Sequence, residues 1–202
     1  MYIIDLQYFP KINYLLTLVR TGFIAFSGDA AYIKSSFMNK MELPGSNGIV
    51  KLSIPIKGGR SVKALYKDVE IDHKTAWQTN HLRTISSIYG NAPFYPFYEN
   101  GIQELYGSDV TNLFQWNLRC FEFFVRNAKM SNMIHYETVA KDNLSMPAAD
   151  VDTHVDIDLF HSYHQVFDDR VGFVPNMSCL DLLMNVGPDT ATYVNQCLNK
   201  LH

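Results

Sequence analysis

Charge is scarce in this chain of 202 residues. Asp, Glu, Lys and Arg together make up 18% of it, where an average soluble domain carries roughly 25%. An excess of basic residues is missing as well: the formal net charge is -3. The longest basic cluster, Lys57-Gly-Gly-Arg60 with Lys63 and Lys67 behind it, is local and short. This excludes the electrostatic footprint of a nucleic-acid binder. Cysteine is rare, with Cys120, Cys179 and Cys197 the only three. An odd number without Cys-x-x-Cys argues against a disulfide framework and a structural zinc site, and reads as reduced, partly buried thiols of a cytoplasmic protein. Long hydrophobic runs are absent, so no membrane span is expected. Asp5, Gln7, Lys11 and Arg20 interrupt the apolar N-terminus, which therefore does not read as a signal peptide. Gly-x-Ser-x-Gly, the P-loop, Gly-x-Gly-x-x-Gly and His-Glu-x-x-His are all missing. Their absence removes the usual hydrolase, NTPase, dehydrogenase and zincin readings and leaves no cofactor assigned.

What the chain does have is apolar and aromatic bulk: 47% hydrophobic residues, with 13 Phe, 12 Tyr and 2 Trp. That composition excludes disorder and a coiled coil and suits one domain spanning residues 1–202. Residues 2–6 read as a buried strand. Pro10 stands where a helix would start, Ile12, Leu15, Leu16 and Val19 follow at helical spacing, Gly22 closes the turn, and Phe23 to Phe26 form a second strand. Such a β-α-β start predicts two parallel strands. Residues 35–72 read as an antiparallel extension, with turns at 44–48 and 58–59, alternation over 49–56 and a short strand at Val69 and Ile71. From about Thr75 the pattern becomes helical, and it stops at Asn91-Ala-Pro93. The clearest helix is 112–128. The aromatic stretch 94–106 serves either the core or a homodimer surface. Residues 141–158 read as a polar excursion. Two final helices follow, the first opening on a Ser178-x-x-Asp181 cap. The fold class is α/β: a mainly parallel N-terminal sheet, an antiparallel extension and a helical C-terminal half.

Seven segments in order along the chain resemble the WbqC-like protein family. They are Gln7-Tyr-Phe-Pro10 with Tyr14; Tyr32-Ile-Lys34 with Asn39-Lys40; Leu52-Ser-Ile-Pro55; Ile71-Asp72 with Trp77, His81, Arg83, Tyr89 and Ala92-Pro93; Tyr163-His-Gln165-Val-Phe167; Gly172-Phe-Val-Pro175-Asn176 with Ser178; and Asp181-Leu-Leu183 with Asn185 and Gly187-Pro188. The chain departs from the family at Met38-Asn39-Lys40, where the family shows Arg-Asn-Arg. A thioether and an amine replace two planar guanidinium forks, which weakens any anion clamp there. The resemblance implies a role in polysaccharide or metabolite biosynthesis, with transfer of an aminoacyl or acyl group, such as glycine, to a sugar amine.

The candidate site residues come from these segments. Gln7, Tyr8 and Tyr14 sit at the turn between the first strand and helix, where open α/β sheets collect ligands. Lys34, Asn39 and Lys40 offer amine and amide donors to an anion. Trp77 and His81 share a helix face, Arg83 lies two residues further on, and His81 has the ordinary pKa of a general base. Gln165, Asn176 and Ser178 complete the substrate-binding set, with His81 and Asp181 as the candidate catalytic residues. Cys179, in the first turn of its helix, is placed as a nucleophile would be, or packs as a plain thiol. The run Asp150, Asp152, His154, Asp156, Asp158, His161 and His164 has metal-ligand chemistry but reads as a solvated loop, so no metal is assigned. Two functions follow: an amide-forming transferase acting on a nucleotide or amino sugar, or a non-catalytic small-molecule-binding or assembly protein. The lost arginines and the lack of a clear nucleophile–base pair favour the second.

Overall fold

Tyr2–Ile3 (β1) and Phe23–Ser27 (β2) lie side by side and parallel in a computed structural model that describes residues 2–33, 36–59, 63–139 and 157–200. They are joined by α1 (Ile12–Thr21), which buries Ile12, Tyr14, Leu15, Leu16 and Leu18. The β-α-β start is therefore as the alternation predicts. The helix begins two residues after Pro10. Lys11 is still extended (ψ 161°), and the Pro10 carbonyl accepts the Cys179 N–H at 2.7 Å instead of starting the helical ladder. A third parallel strand, β5 (His135–Val139), pairs with β2 from Phe23↔His135 to Ser27↔Val139, giving the order β1-β2-β5. No sequence pattern announced it: its five residues are exposed or half-buried and include no apolar run.

The antiparallel extension is the hairpin β3 (Lys40–Gly45) and β4 (Gly48–Ser53), registered from Lys40↔Ser53 to Gly45↔Gly48. Gly45 is required at the tip, because a Cβ there would lie 2.6 Å from the Val50 Cγ2. The expected strand at Val69 and Ile71 reduces to the isolated bridges Ile56↔Ile71 and Glu70↔Asn112. Four helices form the second half with the short α5 (Asp168–Val171) among them. They follow α2 (Trp77–Tyr89): α3 (Tyr95–Tyr106), α4 (Leu113–Asn127), α6 (Cys179–Val186) and α7 (Thr190–Asn199). The aromatic stretch is thus a helix, with Tyr95, Ile102 and Tyr106 buried and Phe97 exposed. Phe121 of α4 packs edge-on against Phe26 of β2 and Tyr136 of β5, closing one face of the sheet. Most of the polar excursion, residues 140–156, lies outside the described residues. The fold is mixed α/β.

Candidate functional site

The turn after β1 is held by the loop before α6. Ile12 N–H donates to the Met177 carbonyl (3.1 Å) and Asn13 N–H to the Asn176 Oδ1 (2.9 Å), which satisfies two of the free N–H groups at the start of α1. Ser178 Oγ donates to the Phe9 carbonyl (2.8 Å), and its N–H donates to Glu42 of β3. Phe9 and Asn176 both take positive φ (40° and 55°) at this crossing. The Ser178 hydroxyl also accepts the Leu180 N–H (3.2 Å), so it caps α6 as expected. Asp181 does not return to close a capping box, because the Ser178 N–H is already taken by Glu42 and the Asp181 side chain turns inward.

Tyr8, from that turn, reaches α2. Its hydroxyl lies 3.0 Å from His81 Nδ1 and meets the Tyr106 hydroxyl. Trp77 packs edge-on against both His81 and Trp116 (5.2 Å each), and its indole N–H has no partner among the described residues. Burial pushes the His81 imidazole down to about 4, against a smaller opposing pull from its hydrogen bond to the Ser53 backbone. At neutral pH His81 is therefore an uncharged ring with 4% exposure, able to accept from Tyr8 while donating to Ser53.

Asp181 is fully buried and collects four side-chain donors. Tyr89 and Asn185 donate to Oδ1 (3.0 Å each), and Tyr163 (2.5 Å) and Gln165 Nε2 (2.9 Å) donate to Oδ2. Burial raises its carboxyl to about 6, and these donors pull the other way. Gln165 is clasped in turn, since its Oε1 accepts the Val174 N–H at 2.8 Å and its Nε2 donates to the Val174 carbonyl at 3.0 Å. Cys179 is buried, and burial pushes its thiol well up, the opposite of an activated nucleophile.

The remaining candidates fall elsewhere. Asn39 donates to the Ile54 carbonyl (2.9 Å) and accepts the Ile54 N–H on its own carbonyl (2.8 Å), holding the two ends of the hairpin together. Lys40 is half-buried at the start of β3, and Gln7 is half-buried after β1. Tyr14 donates to the Asp5 carbonyl at 2.6 Å. Lys34 lies outside the described residues, and Met38, where the family has an arginine, is fully buried. The structure thus joins Tyr8, Trp77 and His81 in one cluster, Gln165 and Asp181 in a second, and Asn176 and Ser178 in a third. Sequence reasoning did not single out Tyr106, Tyr163 or Asp5. Asp5 is half-buried at the carboxyl end of β1, and burial raises its carboxyl. Its place after the first parallel strand was the available signal.

Arg83 occupies a different setting, on the outer side of α2. It lines a groove of about 310 Å³ with Gly45 and Ser46 of the hairpin tip, Val50, Thr84, Ser87, Ile88 and Phe167. Among the described residues Arg83 makes no ion pair. A second groove of about 290 Å³ between α3 and α4 sets Arg119 and Arg126 beside Glu104 and Glu122. Its charges balance, whereas the Arg83 groove presents a cation with hydroxyls and no acidic side chain. No group of His, Cys, Asp and Glu that could hold a metal occurs among the described residues. No helix there is long and apolar enough to cross a membrane.

No solved structure matches this chain. A protein of Mycobacterium tuberculosis (strain ATCC 25618 / H37Rv) described as uncharacterized protein Rv1507c is 23% identical over 228 residues, covering 96% of this chain and 97% of that protein. The model of the WbqC-like protein family matches residues 7–157, from the turn after β1 through the hairpin, α2 and α4. The segments from Tyr163 onward lie outside that match, although Ser178 bonds to its Phe9 and Asp181 to its Tyr89. With well over half of its length inside the match, the chain belongs to the WbqC-like protein family.

Proposed function

We propose that this protein binds a small anionic molecule, a carboxylate or phosphate carried on a metabolite such as a nucleotide or amino sugar, in the Arg83 groove. The observation that carries this reading is an exposed guanidinium without an anionic partner among the described residues, beside the hydroxyls of Ser46 and Ser87 and the apolar Val50, Ile88 and Phe167; the Thr84 hydroxyl, also on the groove, donates to the Asn80 carbonyl. Guanidinium and hydroxyl donors fix an oxyanion, and the apolar side chains cover the attached body. The volume suits one small metabolite. Titration calorimetry with inorganic phosphate, glycine and a uridine diphosphate sugar tests it. The wild-type chain binds at least one of these, and Arg83→Gln weakens that binding by tenfold or more. Equal binding by the variant overturns the reading.

Amide-forming acyl transfer to an amine is a second reading, favoured by Asp5. A carboxyl raised by burial, just past a parallel strand, is the kind of group that takes the proton of an attacking amine. An assay with ATP, glycine and an amino sugar should then show amide formation that Asp5→Asn abolishes. The absence of product with the wild-type chain counts against it.

A further inference from the structure

The groove's walls come from three elements, and two of those walls lead to the same buried carboxylate. Ile88 of α2 precedes Tyr89, whose hydroxyl donates to Asp181. Phe167 lies two residues beyond Gln165, whose Nε2 donates to Asp181. Tyr163, on the same segment as Phe167, donates to Asp181 as well. The segment has few other polar ties. Phe167 heads the single turn α5, and beyond it Gly172 is exposed with φ +72°. Val174 is held by both its N–H and its carbonyl, each bonded to the Gln165 amide. We infer that Asp181 and Gln165 are positioning residues which lock the 163–174 segment onto α2 and α6 and so hold Phe167 in place as a wall of the Arg83 groove. This rests on the groove being the binding site, and it assigns Asp181 to the frame of that site rather than to any reacting atom.

The groups facing Asp181 are Tyr89 from α2, Tyr163 and Gln165 from the segment, Asn185 on α6 and Tyr193 from α7, with Cys179 of α6 beside Tyr89. The tyrosines and the cysteine are all pushed upward by burial and stay neutral near neutral pH. Opening the segment would return Asp181 to water, where a carboxyl titrates near 4. The closed form, titrating at about 6, therefore holds its proton more tightly. The sign follows: rising pH favours opening, by roughly tenfold between pH 5 and pH 7. His164 on the segment is paired with Asp168 at 2.9 Å, so His164→Gln is the control for that contact.

The experiment combines sulfate titration with amide hydrogen exchange of the unliganded full chain, corrected for intrinsic rates. Sulfate keeps one charge state across the range, which leaves the protein as the titrating partner. In the wild-type chain, exchange of the 165–174 amides rises about tenfold from pH 5 to 7. In Gln165→Met these amides exchange at least tenfold faster and sulfate binds more weakly. In Asp181→Asn the pH dependence disappears. Should Asp181→Asn fail to fold, Tyr163→Phe gives the test: it removes one donor and is expected to speed exchange of the same amides. Unchanged exchange and affinity in Gln165→Met or Tyr163→Phe, or a pH dependence that follows His164→Gln, overturns the inference. Loss of the groove itself reads out separately, as sulfate binding that Arg83→Gln leaves untouched.

Discussion

Among the described residues Asp181 has no cation beside it, and its charge in this interior is held by the dipoles of its donors. Four donors converge on two oxygens, and each lost donor leaves a buried acceptor poorly solvated. Tyr89→Phe is the cleanest probe, because the ring keeps its packing and only the hydroxyl goes. At pH 7, with the carboxylate ionised, the variant should lose about 1.5–3 kcal/mol, the range for hydrogen bonds to charged groups. At pH 5, below the raised Asp181 value of about 6, the acceptor is neutral and the loss should be smaller. Urea denaturation at the two pH values measures this, and equal losses would show that Tyr89 does not bond an ionised Asp181. The same residues show how much of the site was readable in advance. Periodicity put Trp77 and His81 on one face of a helix, and that face is buried. It did not say that Tyr8, 73 residues earlier, would meet His81 Nδ1. Hydrogen-bond partners across the fold follow from topology, and spacing along one element carries no trace of them. The family motifs pointed to Gln165 and Asp181 separately, and only the fold shows them bonded to each other.

At the scale of elements, legibility followed local chemistry. Helices α1, α2, α4, α6 and α7 were marked by apolar spacing, all but α4 also by Gly or Pro at an end, and the hairpin by its turn residues. β5 was not, since an edge strand with one half-buried face needs no apolar run, and its place is set by pairing with β2 more than 100 residues earlier. α3 was hidden because seven of its residues are aromatic, Pro, Gly or Asn, types that also suit loops. The junction between α6 and α7 offers the sharpest test of element packing. Gly187 adopts φ +61°, and a Cβ there would stand 2.4 Å from the Phe94 ring just before α3. Gly187→Ala combines left-handed strain with overpacking and should cost about 2–4 kcal/mol. For a chain of this size that is a fall in Tm of roughly 5–15 °C. Calorimetry measures it, and a shift within a degree of wild type would mean that α3 and α6 are not packed together here.

Across the whole molecule, two buried groups titrate against each other. His81 titrates at about 4 in the folded chain, against an ordinary 6.5. Between those values the unfolded chain takes up a proton that the folded chain refuses, so falling pH destabilises the fold. Asp181 titrates at about 6 in the folded chain, against an ordinary 3.8. Between those values the folded chain keeps a proton that the unfolded chain has released, so falling pH stabilises the fold. Each effect, when complete, is on the order of 3 kcal/mol, and both act across roughly pH 4 to 6, where they nearly cancel. Removing one group should expose the other. In His81→Gln the stability curve should gain an upward slope on acidification, relative to wild type, of about 1.4 kcal/mol per pH unit at most; in Asp181→Asn it should gain a downward slope of the same size. Other carboxylates add their own terms. Glu42 is pushed up by burial but held below its ordinary value by Lys11 and Lys51, so it loses stability as pH falls through that lowered value. Such terms are common to all three proteins and drop out of the differences between them. Urea denaturation at pH 6, 5 and 4 therefore isolates the pair, and three parallel curves would mean that neither group is held in its shifted state by the fold.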